Sequence, residues 1–242
     1  MFDARIRYFR QNTAIVLFRP LQPDYVSSYV YSIARESENL RDRRTCMANI
    51  LAIYGSPRRR GNTSLLLQRA VQGAMEAGDH VDEVILRDLK MSPCLEIYGC
   101  KKTGRCVIQD DFQKLYDQIL SCEGIMLASP IFFYTVSAHT KILMDRCQSL
   151  WVKKYWLEEK SHEKKEQERK GLFISVGATG GKKLFDGVLL SVRYFFDALD
   201  TKLSHTLLYR GLDFEGDILK HPEYLEEAYG AGMELSRAIR QT

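Results

Sequence analysis

One stretch constrains this chain more than any other: residues 49–64, NILAIYGSPRRRGNTS. An apolar run at 50–54 stops at Gly55-Ser56-Pro57. An arginine-rich loop follows, closes at Gly61-Asn62-Thr63-Ser64, and the apolar spacing then becomes helical. Strand, loop and helix start in that order gather several backbone N–H groups around one point, and such a point binds an anion, most often a phosphate. Ser56, Asn62, Thr63 and Ser64 add short hydrogen-bonding side chains, and Arg58 can meet a phosphate with two parallel bonds. Plain N-capping by Asn62 or Thr63 is the competing reading. The loop contains neither G-x-x-x-x-G-K-[ST] nor G-x-G-x-x-G, which argues against nucleotide hydrolysis and a dinucleotide fingerprint.

With 242 residues, 45% of them apolar and 27% charged, the chain has the composition of one α/β domain with extensions. A net charge of +4 does not call for nucleic acid or a membrane, and no apolar run approaches the roughly 20 residues of a membrane helix. The run at 14–18 is too short for a secretory signal core, so the six cysteines are expected to be reduced thiols in a cytoplasm.

Residues 1–46 are rich in arginine and tyrosine, show no sustained period and are interrupted by Pro20 and Pro23. Met47 is read as the functional start, with 1–46 as a poorly ordered N-terminal extension. The rival reading is an arm carrying Tyr25, Tyr29 and Tyr31 that packs on a partner subunit. From 47 to 242 strands and helices alternate. Strands are expected at 50–54, 82–86, 124–129, 172–176 and 203–208. Helices are expected from Leu66, from Phe112 behind an Asp110/Gln113 capping box, over 137–150, over 187–199, and from Pro222 onward. A Lys/Glu-dense insertion at about 151–170 reads as a solvated excursion. Five such strands imply right-handed crossovers and a doubly wound, five-stranded parallel sheet with helices on both faces. Ligands of such sheets sit beyond the strand C-termini. The loops at 55–63, 130–136 and 177–181 should therefore converge.

Phosphate contacts alone are not enough to hold a ligand. Charge-assisted hydrogen bonds contribute roughly 1.5–3 kcal/mol each, against an association cost of about 4–15 kcal/mol. An apolar anchor is needed, and SPIFFYTVS supplies it. Pro130 fixes the backbone, and Ile131, Phe132, Phe133 and Tyr134 can flank a planar ring.

GSPRRRGNTS, GRCVIQDD at 104–111, SPIFFYTVSAHTKILMDR at 129–146 and GATGG at 177–181 together resemble the NADPH-dependent FMN reductase family, in the branch close to the iron–sulfur flavoproteins. The resemblance implies a flavodoxin-like sheet of order 2-1-3-4-5 and noncovalent FMN in a homodimer or homotetramer. Ser56, Arg58, Asn62, Thr63 and Ser64 would hold the phosphate, and Pro130, Ile131, Phe132 and Phe133 would line the ring. Thr179 and Gly180 would close over the ring or ribityl chain. Lys141, Asp145 and Arg146 are read as a helix-surface ion-pair set or a subunit contact. The implied function is hydride transfer from NAD(P)H through FMN to a small acceptor (flavin, quinone, azo or nitro compound, or metal complex) with ping-pong kinetics. The alternative is an electron-transfer flavoprotein acting on a protein partner. Iron–sulfur flavoproteins carry a C-x2-C-x2-C-x(4–7)-C run. Here Cys94, Cys100 and Cys106 occupy the first, third and fourth places and Ile97 stands at the second, and three thiolates argue against a [4Fe–4S] cluster, which wants four.

Overall fold

The computed structural model describes residues 47–158 and 168–241. The reading of 1–46 and the middle of the charged insertion lie outside the described residues. Five strands, β1 (Asn49–Tyr54), β2 (His80–Ile85), β3 (Gly124–Pro130), β4 (Arg169–Gly177) and β5 (Thr201–Arg210), form one sheet of order β2-β1-β3-β4-β5. Every neighbouring pair is parallel, and Ile53 of β1 lies between Val84 and Leu127. The expected flavodoxin-like architecture is the one found.

Alternation along the strands explains the two layers. Ile50, Ala52 and Tyr54 face one way, with Met126, Ala128, Leu172 and Ile174, and are covered by α1 (Asn62–Glu76) and α7 (Pro222–Arg240). Leu51, Ile53, Ile125, Leu127 and Phe173 face the other way. They are covered by α3 (Phe112–Ser121), α4 (Ala138–Arg146), α5 (Gln148–Val152) and α6 (Asp186–Ala198). A sheet buried on both sides must carry consecutive apolar residues, as 50–54 and 124–128 do. α2 (Cys100–Thr103) is a single turn in the cysteine loop.

Three expectations change. The segment beginning at Trp151 is not wholly an excursion. Trp151 and Val152 complete α5, Lys153–Leu157 continues as a π-helical segment, and Arg169 and Lys170 already belong to β4. The strand therefore extends beyond the apolar run, because a residue at the end of a strand can pair through its backbone whatever its side chain. No capping box forms at α3 either. Asp110 Oδ1 does accept from Phe112 N (3.1 Å), but Gln113 Nε2 donates to the carbonyls of Cys106 (2.8 Å) and Ile108 (2.7 Å) instead of reaching back. Arg146 is not a surface residue; its side chain is fully buried. Lys141 and Asp145, by contrast, do form an exposed ion pair one helical turn apart.

Candidate functional site

The three singled-out loops meet at the strand C-termini around a cleft of about 150 Å³. The loop after β1 contributes Ser56, Pro57, Arg58, Gly61, Asn62 and Thr63. The segment after β3 contributes Pro130, Ile131 and Phe132, and the end of β4 contributes Val176 and Ala178. A fourth wall, Leu212 and Asp213 after β5, was not anticipated.

The first loop is shaped by what its glycines omit. Gly55 N donates to Ala128 O (2.7 Å), and a Cβ at Gly55 would lie 2.1 Å from Thr140 Oγ1. Only glycine lets the first turn of α4 come that close. Arg58 N donates to Ser56 Oγ (3.1 Å), and Ser64 Oγ donates to Arg58 O (3.1 Å), so the loop folds back on itself ahead of α1. The amides of Asn62, Thr63 and Ser64 are first-turn donors with no intrahelical acceptor. Among the described residues they have no other acceptor, and the Thr63 hydroxyl has no partner. Asn62 behaves differently: Nδ2 donates to Phe214 O (3.0 Å) and Oδ1 accepts from Ile218 N (3.2 Å). Its side chain ties α1 to the loop after β5, leaving only its amide facing the cleft.

Buried hydroxyls brace the first loop against the second. Ser137 Oγ donates to Gly55 O (2.5 Å) and accepts from Thr140 N (3.3 Å), capping α4. Ser129 Oγ accepts from Ser137 N (2.9 Å), and Ser175 Oγ donates to Ser129 O (2.8 Å). Beyond Pro130 the chain turns at once. Ile131 N donates to Val176 O (3.0 Å), and Phe132 and Thr135 exchange backbone hydrogen bonds of 2.9 and 3.1 Å. The two residues between them, Phe133 (φ 49°) and Tyr134 (φ 62°), are both left-handed. Tight hairpin turns normally reserve such positions for Asn or Gly, and bulky residues held there mark local backbone strain. Phe132 lines the cleft, whereas Phe133 is 99% exposed on its lip.

Of the other expected site residues, Ser64 braces the loop from behind. Thr179 and Gly180 lie exposed beyond Ala178 and do not line the cleft. Leu212 and Asp213 could have been found in the sequence by one rule applied evenly. They follow the fifth strand, between Gly211 (φ 76°) and Gly216 (φ 81°). Asp217 Oδ2 accepts from the amides of Asp213 (3.2 Å) and Phe214 (2.8 Å), holding that loop in shape.

The cysteine loop lies apart from the cleft and is organised by one buried ion pair. Arg146 donates to both oxygens of Asp110 (2.5 and 3.0 Å), to Ser92 O (2.9 Å), to Ile108 O (3.3 Å) and to Cys106 Sγ (3.3 Å). Burial would push the Asp110 carboxyl up, but Arg146 and the amides of Ser92 and Phe112 together hold it below the usual carboxylate range. Cys100 is held above the ordinary thiol value, by burial first and then by neighbouring Cys106. Buried Cys122 is pushed up to about 11 by desolvation, which keeps it protonated and inert.

Known proteins resemble this chain in sequence and in fold. The family model for NADPH-dependent FMN reductase matches residues 48–199. An iron–sulfur flavoprotein of Methanocaldococcus jannaschii is 39% identical over 103 residues, 43% of this chain and 53% of the relative. Another, from Archaeoglobus fulgidus, is 37% identical over 106 residues, 44% of this chain and 54% of the relative. The match thus spans about half the length of these curated relatives. Among solved structures, a flavone reductase superposes with a TM-score of 0.60 at 19% identity, covering 79% of this chain and 63% of that one. An NAD(P)H:quinone oxidoreductase from Methanothermobacter marburgensis gives 0.58 at 17% identity, covering 78% and 97%. At those identities the structures speak for the fold alone. The family model spans the first loop, the hydroxyl brace, the aromatic turn and the end of β4, and on that ground the chain belongs to the NADPH-dependent FMN reductase family.

Proposed function

We propose that this chain is an FMN-dependent NAD(P)H oxidoreductase acting on a small acceptor: a flavin, quinone, azo or nitro compound, or metal complex. The observation that carries the reading is the set of open donors at the strand C-termini. The amides of Asn62, Thr63 and Ser64 and the hydroxyl of Thr63 point to a ligand that the protein itself does not replace. These residues fit the FMN phosphate. A Cβ at Gly61 would stand 2.8 Å from Ser56 Oγ, so the cradle depends on a missing side chain. Ser56 and Arg58 complete the anion site from the loop. Pro130, Ile131 and Phe132 give the apolar wall that a flavin ring needs, with Phe133 on the lip; Thr179 and Gly180, which stand exposed beyond Ala178, would have to fold inward to close from the β4 side. Bound FMN would supply the hydride chemistry between NAD(P)H and the acceptor. The two substrates use the same space in turn, so kinetics are ping-pong. No side-chain base is required. The protein orients the reactants and excludes water.

The exposed aromatic lip favours assembly as a homodimer or homotetramer. Among the described residues no helix is long and apolar enough to cross a membrane, and a cytoplasmic enzyme remains our reading. We infer that no [4Fe–4S] cluster is built, because Ile97 offers no ligand beside Cys94, Cys100 and Cys106. The test is spectroscopic. The purified protein should show bound oxidised flavin without a broad iron–sulfur shoulder, and NADPH or NADH should bleach it in stopped flow. A flavin that neither nicotinamide bleaches would overturn the reductase reading in favour of an electron carrier acting on a protein partner.

A further inference from the structure

A cavity of about 550 Å³ bordered by the cysteine loop has no part in the cofactor reading and is of ligand size. Its walls are Tyr98, Trp151 and Trp156, with Cys94 and Cys100 beside them, and its charged groups are Glu96, Asp145 and Lys101. Three unusual backbone features border this one space. Glu96 (φ 50°) and Tyr98 (φ 61°) are both left-handed without being glycine. The opposite wall is the π-helical segment Lys153–Leu157. Its wider turn brings both Tyr155 and Trp156 onto Trp151, with ring centroids 5.4 and 5.6 Å apart. A regular α-helix would carry Trp156 round to another face. Strained residues and π-helical turns persist where something beyond packing requires them, and here they aim aromatic faces into a shared space.

What those faces hold is visible. The Lys101 ammonium lies 3.9 Å from the centroid of Tyr98 and 5.1 Å from that of Trp156, between two ring faces. Ring faces carry negative quadrupole density and attract cations. The remaining charges agree, since two carboxylates, Glu96 and Asp145, face one ammonium. Asp145 is paired outward with Lys141, while the Glu96 side chain has no partner among the described residues. Such a lining disfavours phosphate-bearing ligands, which separates this cavity from the cleft.

We propose that the cavity binds a small organic cation, an alkylated or aromatic ammonium ion, between Tyr98 and Trp156 in the place the Lys101 side chain fills when the site is empty. Lys101 is exposed on a four-residue turn and can swing out to solvent at little cost. The proposal does not depend on the flavin reading.

The chain has two tryptophans, Trp151 and Trp156, and both line this cavity, so intrinsic fluorescence reports on it directly. Full-length protein would be titrated with benzyltrimethylammonium chloride, with sodium chloride at matched ionic strength and benzyl alcohol as controls. We expect saturable quenching by the cation and none by the controls. Lys101→Ala should tighten binding by about 2- to 30-fold, the span expected when a competing cation–π partner is removed. Trp156→Phe should weaken binding while Trp151 still reports. Quenching no different from that of free tryptophan amide would overturn the proposal. So would equal quenching by benzyl alcohol, or weaker binding in Lys101→Ala.

Discussion

The first loop and the cysteine loop both follow strand C-termini on the same edge of the sheet, yet they treat their polar groups in opposite ways. In the first loop the amides of Asn62, Thr63 and Ser64 are left open, and glycines keep the space in front of them clear. In the cysteine loop Arg146 collects the carbonyls of Ser92 and Ile108, the Cys106 sulfur and both oxygens of Asp110, while Gln113 takes the Cys106 carbonyl and shares that of Ile108. One loop leaves donors without a partner among the described residues. The other is completed by the protein. The comparison predicts that substitutions in the first region cost ligand affinity and leave stability nearly unchanged, whereas those in the second do the reverse.

The largest effect should come from Arg146→Ala, which empties a fully buried guanidinium site and leaves the half-buried Asp110 carboxylate without its cation. Breaking a buried pair in this way costs about 3–5 kcal/mol, to be read from urea unfolding, with any retained FMN bound as tightly as before. An unfolding midpoint equal to that of the parent would remove the distinction between the loops. Acid tests the same pair more gently. The Asp110 carboxyl is held below its unfolded value. Its contribution is therefore fully present above about pH 4, the unfolded carboxylate range, and is lost as pH falls through the lower folded value. Urea melts at descending pH should show this loss in the parent and its absence in Asp110→Asn.

On the other side of the comparison, Ser56→Ala should weaken FMN by about 1.5–3 kcal/mol, tenfold or more in Kd by flavin fluorescence, and should lower stability by no more than about 0.5–1.5 kcal/mol, the worth of the one hydrogen bond it accepts from Arg58 N. Asn62→Ala should blur the contrast. Its side chain makes two hydrogen bonds to the loop after β5, at about 0.5–1.5 kcal/mol each, so stability and FMN affinity should fall together. A loss confined to affinity would mean that Asn62 holds the ligand with its side chain after all. The smallest effect belongs to Lys141→Ala. Its exposed pair with Asp145 is worth about 0.3–0.5 kcal/mol, and a larger change would place Lys141 in an interface that one chain does not show.

Much of the molecule was readable from local sequence. The strand at 50–54, the turn at Gly55 and the helix start at Asn62 each carry their own signal. Consecutive apolar residues at 124–128 report burial on both faces, and five such strands separated by helices admit few topologies. The meeting place of the loops was readable for the same reason, since a parallel sheet gathers its strand C-termini on one edge. Leu212 and Asp213 were missed because the loop after β5 carries no aromatic run or serine cluster to draw notice. The hydroxyl brace of Ser129, Ser137, Thr140 and Ser175 was missed because a serine in a strand looks the same whether it faces a core or a neighbouring loop.

Local pattern alone thus determined the order of elements, the parallel sheet and the strand–loop–helix start over residues 49–64, because hydrophobic period and helix-start chemistry act over a few residues. Tertiary structure decided which polar groups stay open. Asn62, Arg146 and Gln113 are equally polar as letters. Their partners lie 152, 36 and 7 residues away, in Phe214 O, Asp110 and Cys106 O. Whether a donor is spent on the protein or saved for a ligand depends on contacts that only the folded chain brings within reach.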